Sequence, residues 1–564
     1  MLPRTSTRAP MALILIGLIA GLFLARQYPA PLILLLPTAV SCCLIALLLG
    51  FRKTVKPVWT FVFIAGSTLC FWAYGSMRLA PSPSTPELDL PQREARLAFE
   101  VETVIHLNEN RRSAGVTARL LQAPKIGCLR QDDLIYTQLK ISEQFLRTKR
   151  LPVLVQNGLQ VRAKGILKPI PHSSGPDLND DFSSYLKAIG IHYHFGRVNE
   201  LEIIETPSSF AQFCAVTNQS LQTILELGAP ENSELPNIYV TMLLGNDTKL
   251  TREQRERYWA TGTMHFFAIS GLHIGVIAAV IAQCLNLLRA PRNLGPFIGL
   301  PLLYLYVEII GASPSAMRAF LMTAFFWASF ALRRQHAPFA ALVNSAIAVL
   351  IIDPTQLWGL GFQLSYTVVA SILMFGLPLS AFLKQALQLY RWLPEDDWTK
   401  RQRIVSGMVN KLVPLFAISL SAWLASMPLC AASFNFVAPG AIILNIILVC
   451  LVSVAIISGI LSIGCSCLTI LSVSEFINHA AWVVLSIMDW IVRIGTTLPI
   501  ISFSGNNAYL TGLCYCALTA YFVSLFWLHS YAKTVHSRVL WLPVAIILIG
   551  MGLIWLGAKL PNLT

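Results

Sequence analysis

Charge is what this sequence has least of. Only 12% of its 564 residues are charged, against about 25% in an ordinary soluble domain. With 55% hydrophobic residues and a mean hydropathy of +0.62, that deficit excludes a conventional soluble globule and points to a polytopic membrane protein. Patterned cysteine is missing as well. The twelve cysteines include no CxxC pair, and most, such as Cys42, Cys43, Cys70 and Cys450, sit in apolar runs where cysteine acts as a small hydrophobe. Cys465 with Cys467, and Cys514 with Cys516, lack histidine or acidic companions at metal-ligand spacing. Only Cys128 and Cys214 fall in or beside polar sequence. A disulfide between them requires an oxidising compartment, and spacing leaves it open. No GxxxxGK[ST] occurs, so the chain has no phosphate-cradling loop of that type with which to drive work. Acidic residues are the scarcer charge, Asp+Glu 28 against Lys+Arg 42, a net of +14. Such an excess attracts polyanions, but positive-inside loops produce it too.

Long apolar runs are what the chain has in plenty. The start, "MLPRTSTRAPMALILIGLIAGLFLAR", has the basic flank and apolar stretch of a signal peptide but no convincing cleavage site, and reads as a retained first helix. Two more runs follow, over residues 30–50 and 57–75. Arg4 and Arg8 precede the first helix and Arg52, Lys53 and Lys56 follow the second, which places the N-terminus in the cytoplasm and sends the third helix outward. Residues 77–208 then change character. "ARLAFEVETVIHL", "GVTARLLQAP", "LIYTQLKIS" and "LQVRAKGILKPI" alternate with period two, the pattern of half-buried strands, and predict a small extracytoplasmic β-barrel or sandwich, of which an OB-like barrel is one form. Residues 209–228 predict an amphipathic helix. Further apolar runs cover 262–288, 294–312, 315–332, 338–352 and 357–383, then, after a polar loop spanning Lys384–Lys411, 412–431, 438–470 (one helix or two), 477–500, 507–529 and 538–557. Roughly ten to thirteen membrane helices are expected. The domain expectation is membrane helices over 1–76, the β domain over 77–208, an amphipathic helix and linker over 209–260, a helix bundle over 261–558 and a tail over 559–564.

Polar groups inside membrane helices are costly unless paired or hydrated, and three clusters stand out. In "HFFAISGLHIGV", His265 lies upstream, Ser270 and His273 share a helix face, and Gly271 and Gly275 form a GxxxG pair that lets another backbone approach. In "EIIGASPSAMRAF", Gly311 and Pro314 break two apolar runs, Ser313 and Ser315 flank the proline, and Arg318 follows. Broken helix at membrane depth survives only when buried in protein or lining a cavity, and Arg318 carries a five-donor fork suited to phosphate. In "LWGLGFQLSYTVVA", Gly359 and Gly361 precede Gln363 and Ser365. The competing reading of each cluster is packing: Ser270 and His273 bonded within an interface, Arg318 paired with Glu308 or snorkelling. Asp489 and Arg493, four apart, suit a pair with each other.

These clusters also carry a family resemblance. "MLLGNDTKLTREQRERYWATGTMHFFAISGLHIGV" resembles the signature entry of the ComEC-type competence channels, and "SPSAMRAF" followed by "DPTQLWGLGFQLSY" matches that family's next two motifs in order. "DDFSSYLKAIGIHYHF" resembles the segment closing the family's OB-like outer domain. "MPLCAASFNFVAPGAIILNIIL" is similar to its later Asn-bearing helix, although a proline usual after Asn445 is missing. The resemblance implies a bacterial inner-membrane channel importing single-stranded DNA. It also implies a separate DNA receptor, a cytoplasmic motor ATPase and single-strand-binding proteins as partners. Many members end in a metallo-β-lactamase-like domain. Here HxHxDH does not occur, and His192-Tyr-His194 lacks the companions of a metal site. A form without that domain is therefore expected, with any nuclease supplied separately, and neither metal nor cofactor nor catalytic residue is assigned.

Taken together, these features predict a polytopic α-helical membrane protein with an inserted β domain. It would act as a passive conduit whose path is built from His265, Ser270, Gly271, His273, Gly275, Ser313, Pro314, Arg318, Gln363 and Ser365. Neutral donors with few cations suit conduction, because a site must release what it binds. A secondary transporter for a small anionic solute uses the same broken helices, and the large outer domain counts against it. An enzyme with His265 or His273 as general base is disfavoured, since no carboxylate sits within helical reach of either.

Overall fold

The computed structural model describes residues 11–50, 56–79, 92–108, 112–122, 129, 133–140, 155–170, 183, 186, 191–230, 233–245, 249–289, 291, 294–332, 337–390, 392–434, 436–497, 501–502, 508–530 and 542–559. Three helices come first: α1 (Ala12–Gln27), α2 (Leu32–Gly50) and α3 (Lys56–Arg78). Gly21 lets α1 lie against the α3 backbone. A Cβ there would stand 2.6 Å from Thr68 O and 2.7 Å from Trp72 N.

Five strands follow: β1 (Arg93–Asn108), β2 (Ser113–Leu120), β3 (Leu134–Lys140), β4 (Gln160–Pro169) and β5 (Tyr193–Glu205). They close into a barrel in the order β1-β2-β3-β5-β4, with β3 and β5 parallel and the other neighbours antiparallel. Period-two alternation fixes the register. Ala95, Leu97, Phe99 and Val101 of β1 point inward, with Phe99 edge-on to Phe195. The outer face carries the pairs Arg119–Glu102, Arg162–Glu202 and Lys164–Glu94, all well exposed and so worth little stability. His194, expected beside His192 on a strand, lies on β5 with its ring stacked on Tyr136. Burial, and then Lys168 opposite, hold this imidazole below its usual value of 6.5.

The chain returns through α4 (Ser209–Glu226), α5 (Leu235–Leu244) and α6 (Arg252–Ala260). Ser208 caps α4 by accepting from Ala211 N. Asn218 then donates to Ile309 O, and Asn478 to Ile224 O and Leu227 O, which stitches this amphipathic helix to the bundle. Cys214 is buried on α4, and Cys128 lies outside the described residues.

The bundle comprises α7 (Gly271–Leu287), α8 (Gly295–Ile309), α9 (Pro314–Ala331), α10 (Pro338–Ile352), α11 (Leu360–Ser371), α12 (Leu377–Ala386), α13 (Lys400–Phe434), α14 (Ala441–Cys467), α15 (Leu471–Gly495), α16 (Ala508–Ser530) and α17 (Leu542–Lys559). Its largest core gathers Tyr239, Phe266, Ile274, Leu448 and Trp482. Among the described residues seven helices are long and apolar enough to cross a membrane, and shorter apolar helices accompany them. A π turn, Ile372–Gly376, joins α11 to α12, and the run at 438–470 proves to be one helix, α14. One expectation is corrected. Residues 400–411 are not loop but the first three turns of α13, because Thr399 and Gln402 form a reciprocal cap that starts the helix there. Of the charges that set the expected orientation, Arg4, Arg8, Arg52 and Lys53 lie outside the described residues.

Candidate functional site

The second and third polar clusters converge. Helix α8 closes where Gly311 and Ala312 take left-handed backbone (φ +86° and +47°), with Gly311 N donating to Glu308 O and Ala312 N to Val307 O. Ser313 then caps α9 by accepting from Ala316 N at 3.4 Å, and Pro314 takes the first helical position, where its missing N–H costs nothing. One turn on, Arg318 is 6% exposed. Its Nε and Nη2 both donate to Ser365 Oγ on α11, at 3.3 and 3.2 Å. Gly361 makes room for the guanidinium: a Cβ there would stand 3.1 Å from Arg318 Nη2. Among the described residues no carboxylate, Glu308 included, lies within ion-pair distance of Arg318.

The first cluster is organised differently. Ser270 precedes α7 and His273 is its third residue. The His273 Nδ1 accepts from Ser270 N at 3.3 Å and lies 3.0 Å from Ser270 Oγ. This is a capping box with imidazole in the usual Glu/Gln position. An accepting Nδ1 assigns the proton of a neutral ring to Nε2. That Nε2 is buried without a hydrogen-bond partner among the described residues, as is Asn445 Oδ1 on α14, which packs against α7. Buried polar atoms of this kind call for water or a ligand. His265, just upstream, is exposed, with Nδ1 3.1 Å from Gly262 O.

The glycines of α7 do not do what their spacing suggests. Among the described residues a Cβ on either Gly271 or Gly275 would meet nothing within 4 Å, so neither makes a close helix contact with them. Gly275 instead opens onto a groove of about 390 Å³ shared with Met322, Phe326, Ala341 and Val369.

Gln363 is drawn into packing. Its Nε2 donates to Leu357 O at 3.1 Å and its Oε1 accepts from Tyr515 of α16 at 2.8 Å. Tyr515 was not identifiable beforehand, for it lies in a run with no polar pattern. Asp489 and Arg493 do pair, at 2.8 Å, and Arg257 of α6 joins them, its Nη2 3.6 Å from Asp489 Oδ1. Thus the structure joins Arg318, Gly361 and Ser365 directly and Ser270 with His273. It shows no hydrogen bond between these two groups.

These features define a helical membrane-type protein carrying an inserted β-barrel and a buried arginine at a helix break, with no carboxylate partner among the described residues. The competence protein family matches residues 242–533, more than half of the chain, and the chain belongs to that family. Relatives include ComE operon protein 3 of Bacillus subtilis, 26% identical over 39% of this chain and 28% of its own length. Another is Recombination protein 2 of Haemophilus influenzae, 24% identical over 36% and 25%. The uncharacterized protein YcaI of Escherichia coli is 26% identical over 49% and 34%. The chain therefore spans about a quarter to a third of the length of these relatives. No solved structure matches it.

Proposed function

We propose that the protein is a passage through which single-stranded DNA crosses the bacterial inner membrane during natural transformation, with the N-terminus cytoplasmic and the barrel outside. The observation that carries this reading is Arg318, a buried guanidinium held by one serine hydroxyl and no described carboxylate. Such a group is available to a passing phosphate and weak enough a site to release it. His273 Nε2 and Asn445 Oδ1, without a partner among the described residues, support a hydrated route, and membership in the competence family supports DNA as cargo. The barrel's strand order and parallel β3–β5 pair support an OB-like reading of the outer domain. The chain would act with a DNA receptor, a motor ATPase and single-strand-binding proteins, and itself perform no catalysis. The test is uptake of labelled DNA by cells lacking the native protein and complemented with wild type, Arg318→Met or His273→Ala, normalised to protein level. Loss of DNA uptake in both variants is expected. A small-anion transporter would instead show uptake of a labelled organic anion and none of DNA.

A further inference from the structure

Outside that region, a cleft of about 790 Å³ lies between the end of α12 and the start of α13. Lys384 and Gln385 stand on the last turn of α12 and Gln388 just past it. Across from them, Arg403, Ser406, Gly407 and Asn410 share one face of α13 at helical spacing. Polar residues of both helices thus border an open space beside the contact between the two helices. Helix α13 is long enough to hold this cleft clear of the bilayer: its 35 residues span about 52 Å against a hydrocarbon core of about 30 Å.

The wall between the helices is built. Trp398, which lines the cleft, donates through Nε1 to Leu393 O and meets Tyr390 edge-on. Arg403 Nη2 donates to Asp396 O, the Thr399–Gln402 cap starts α13, and Tyr390 is held at φ +58°. Left-handed backbone at so bulky a residue persists only where the surroundings enforce it.

We propose that this cleft binds a short run of single-stranded nucleic acid. Lys384 and Arg403 take backbone phosphates, the Trp398 indole offers a stacking face, and the amides of Gln385, Gln388 and Asn410, each both donor and acceptor, meet base edges without demanding a sequence. An anionic lipid headgroup shares the phosphate chemistry, but the amides favour a nucleotide. Among the described residues Asp396 is the one carboxylate lining the cleft, and it repels phosphate on its side. The proposal draws on the passage reading only for why a strand should arrive there, on the cytoplasmic face in the expected orientation.

The test is binding of a fluorescent twelve-nucleotide thymidine oligomer to the purified full chain in nanodiscs of neutral phosphatidylcholine, by anisotropy across a salt series. Losing two phosphate contacts in the Lys384→Ala/Arg403→Ala pair lowers the salt slope by about 1.4 and weakens binding about 25-fold at 0.1 M salt. Asp396→Asn tightens binding. Gly407→Leu, at a position where a Cβ meets nothing within 4 Å, blocks the cleft and weakens binding without altering the protein's elution. Unchanged affinity and salt slope in all three overturn the proposal. So does an effect confined to nanodiscs containing phosphatidylglycerol, which makes this a lipid site. Normal oligomer binding alongside failed uptake in the Arg318 variant, or the reverse, separates this cleft from the passage reading.

Discussion

Replacing Arg318 with methionine separates a functional guanidinium from a structural one. The side chain is 6% exposed, and its two hydrogen bonds end on a single hydroxyl, at 3.2 and 3.3 Å. Charge-assisted bonds contribute about 1.5–3 kcal/mol each, and two that share one acceptor give about 2–3 kcal/mol together. Burying a guanidinium costs several kcal/mol, and no described carboxylate offsets that. The balance runs against stability. Arg318→Met, which keeps most of the length and drops the charge, should leave stability unchanged or raise it by on the order of 1 kcal/mol. The assay is the midpoint of thermal aggregation of detergent-purified protein, measured beside DNA uptake normalised to protein level. The expected pair of results is a midpoint at or above wild type and uptake down at least tenfold. Arg318→Lys should recover only part of the uptake, since an ammonium is a compact point charge without the planar fork. A lower midpoint, with uptake falling only in step with protein level, would refute the reasoning and make the guanidinium part of the packing.

Glycine substitutions divide by geometry. Gly361→Ala crowds Arg318 Nη2 at 3.1 Å and should cut uptake several-fold at normal protein level, whereas Gly271→Ala and Gly275→Ala should be tolerated; sensitivity of the latter two would restore a close helix contact there. Gly21→Ala meets the α3 backbone and should destabilise by about 1–3 kcal/mol, visible as a lower aggregation midpoint. In the barrel, His194 is held below 6.5 by burial and Lys168, so the unfolded chain binds the proton first as pH falls, and native stability drops as pH passes below about 6.5. Hydrogen exchange in β3 and β5 of the intact protein, corrected for intrinsic rates, should speed up between pH 7.5 and 5.5 in wild type but not in His194→Gln; equal acceleration in both removes His194 as the cause. Reporter fusions at Ser113 and Lys400 should report opposite sides of the membrane, and the same side for both would defeat the expected orientation.

The barrel was readable because its physics is local to each strand. "ARLAFEVETVIHL" alternates so regularly that Leu97, Phe99 and Val101 could be assigned to one face, and the structure puts them inward. The parallel pairing of β3 with β5 was not readable, since Tyr136 and His194 meet across 58 residues and no local pattern encodes a partner. Helix α13 shows the opposite failure. Its first turns are charged, and hydropathy alone made them a loop, although the T-x-x-Q cap that starts the helix was in plain view.

At the candidate site, residue type was legible and use was not. Ser270 and His273 share a face, as their spacing requires, but they spend Ser270 N–H and His273 Nδ1 on one another. A helix cap satisfies itself locally and says nothing about a path. Gly271 and Gly275 carried a packing motif with no neighbour within 4 Å among the described residues. Arg318 and Ser365, 47 residues apart, had no pattern linking them, yet theirs is the contact that no local rule needs. A cap or a turn explains a polar residue by its own neighbours in sequence. A buried cation satisfied only across two helices, beside a break at Gly311 and Ala312, has no such explanation, and its desolvation is kept at a cost that folding alone does not require. That excess is the ground for looking to Arg318 first, and to the unspent Nε2 of His273 second, when tracing where a charged strand would pass.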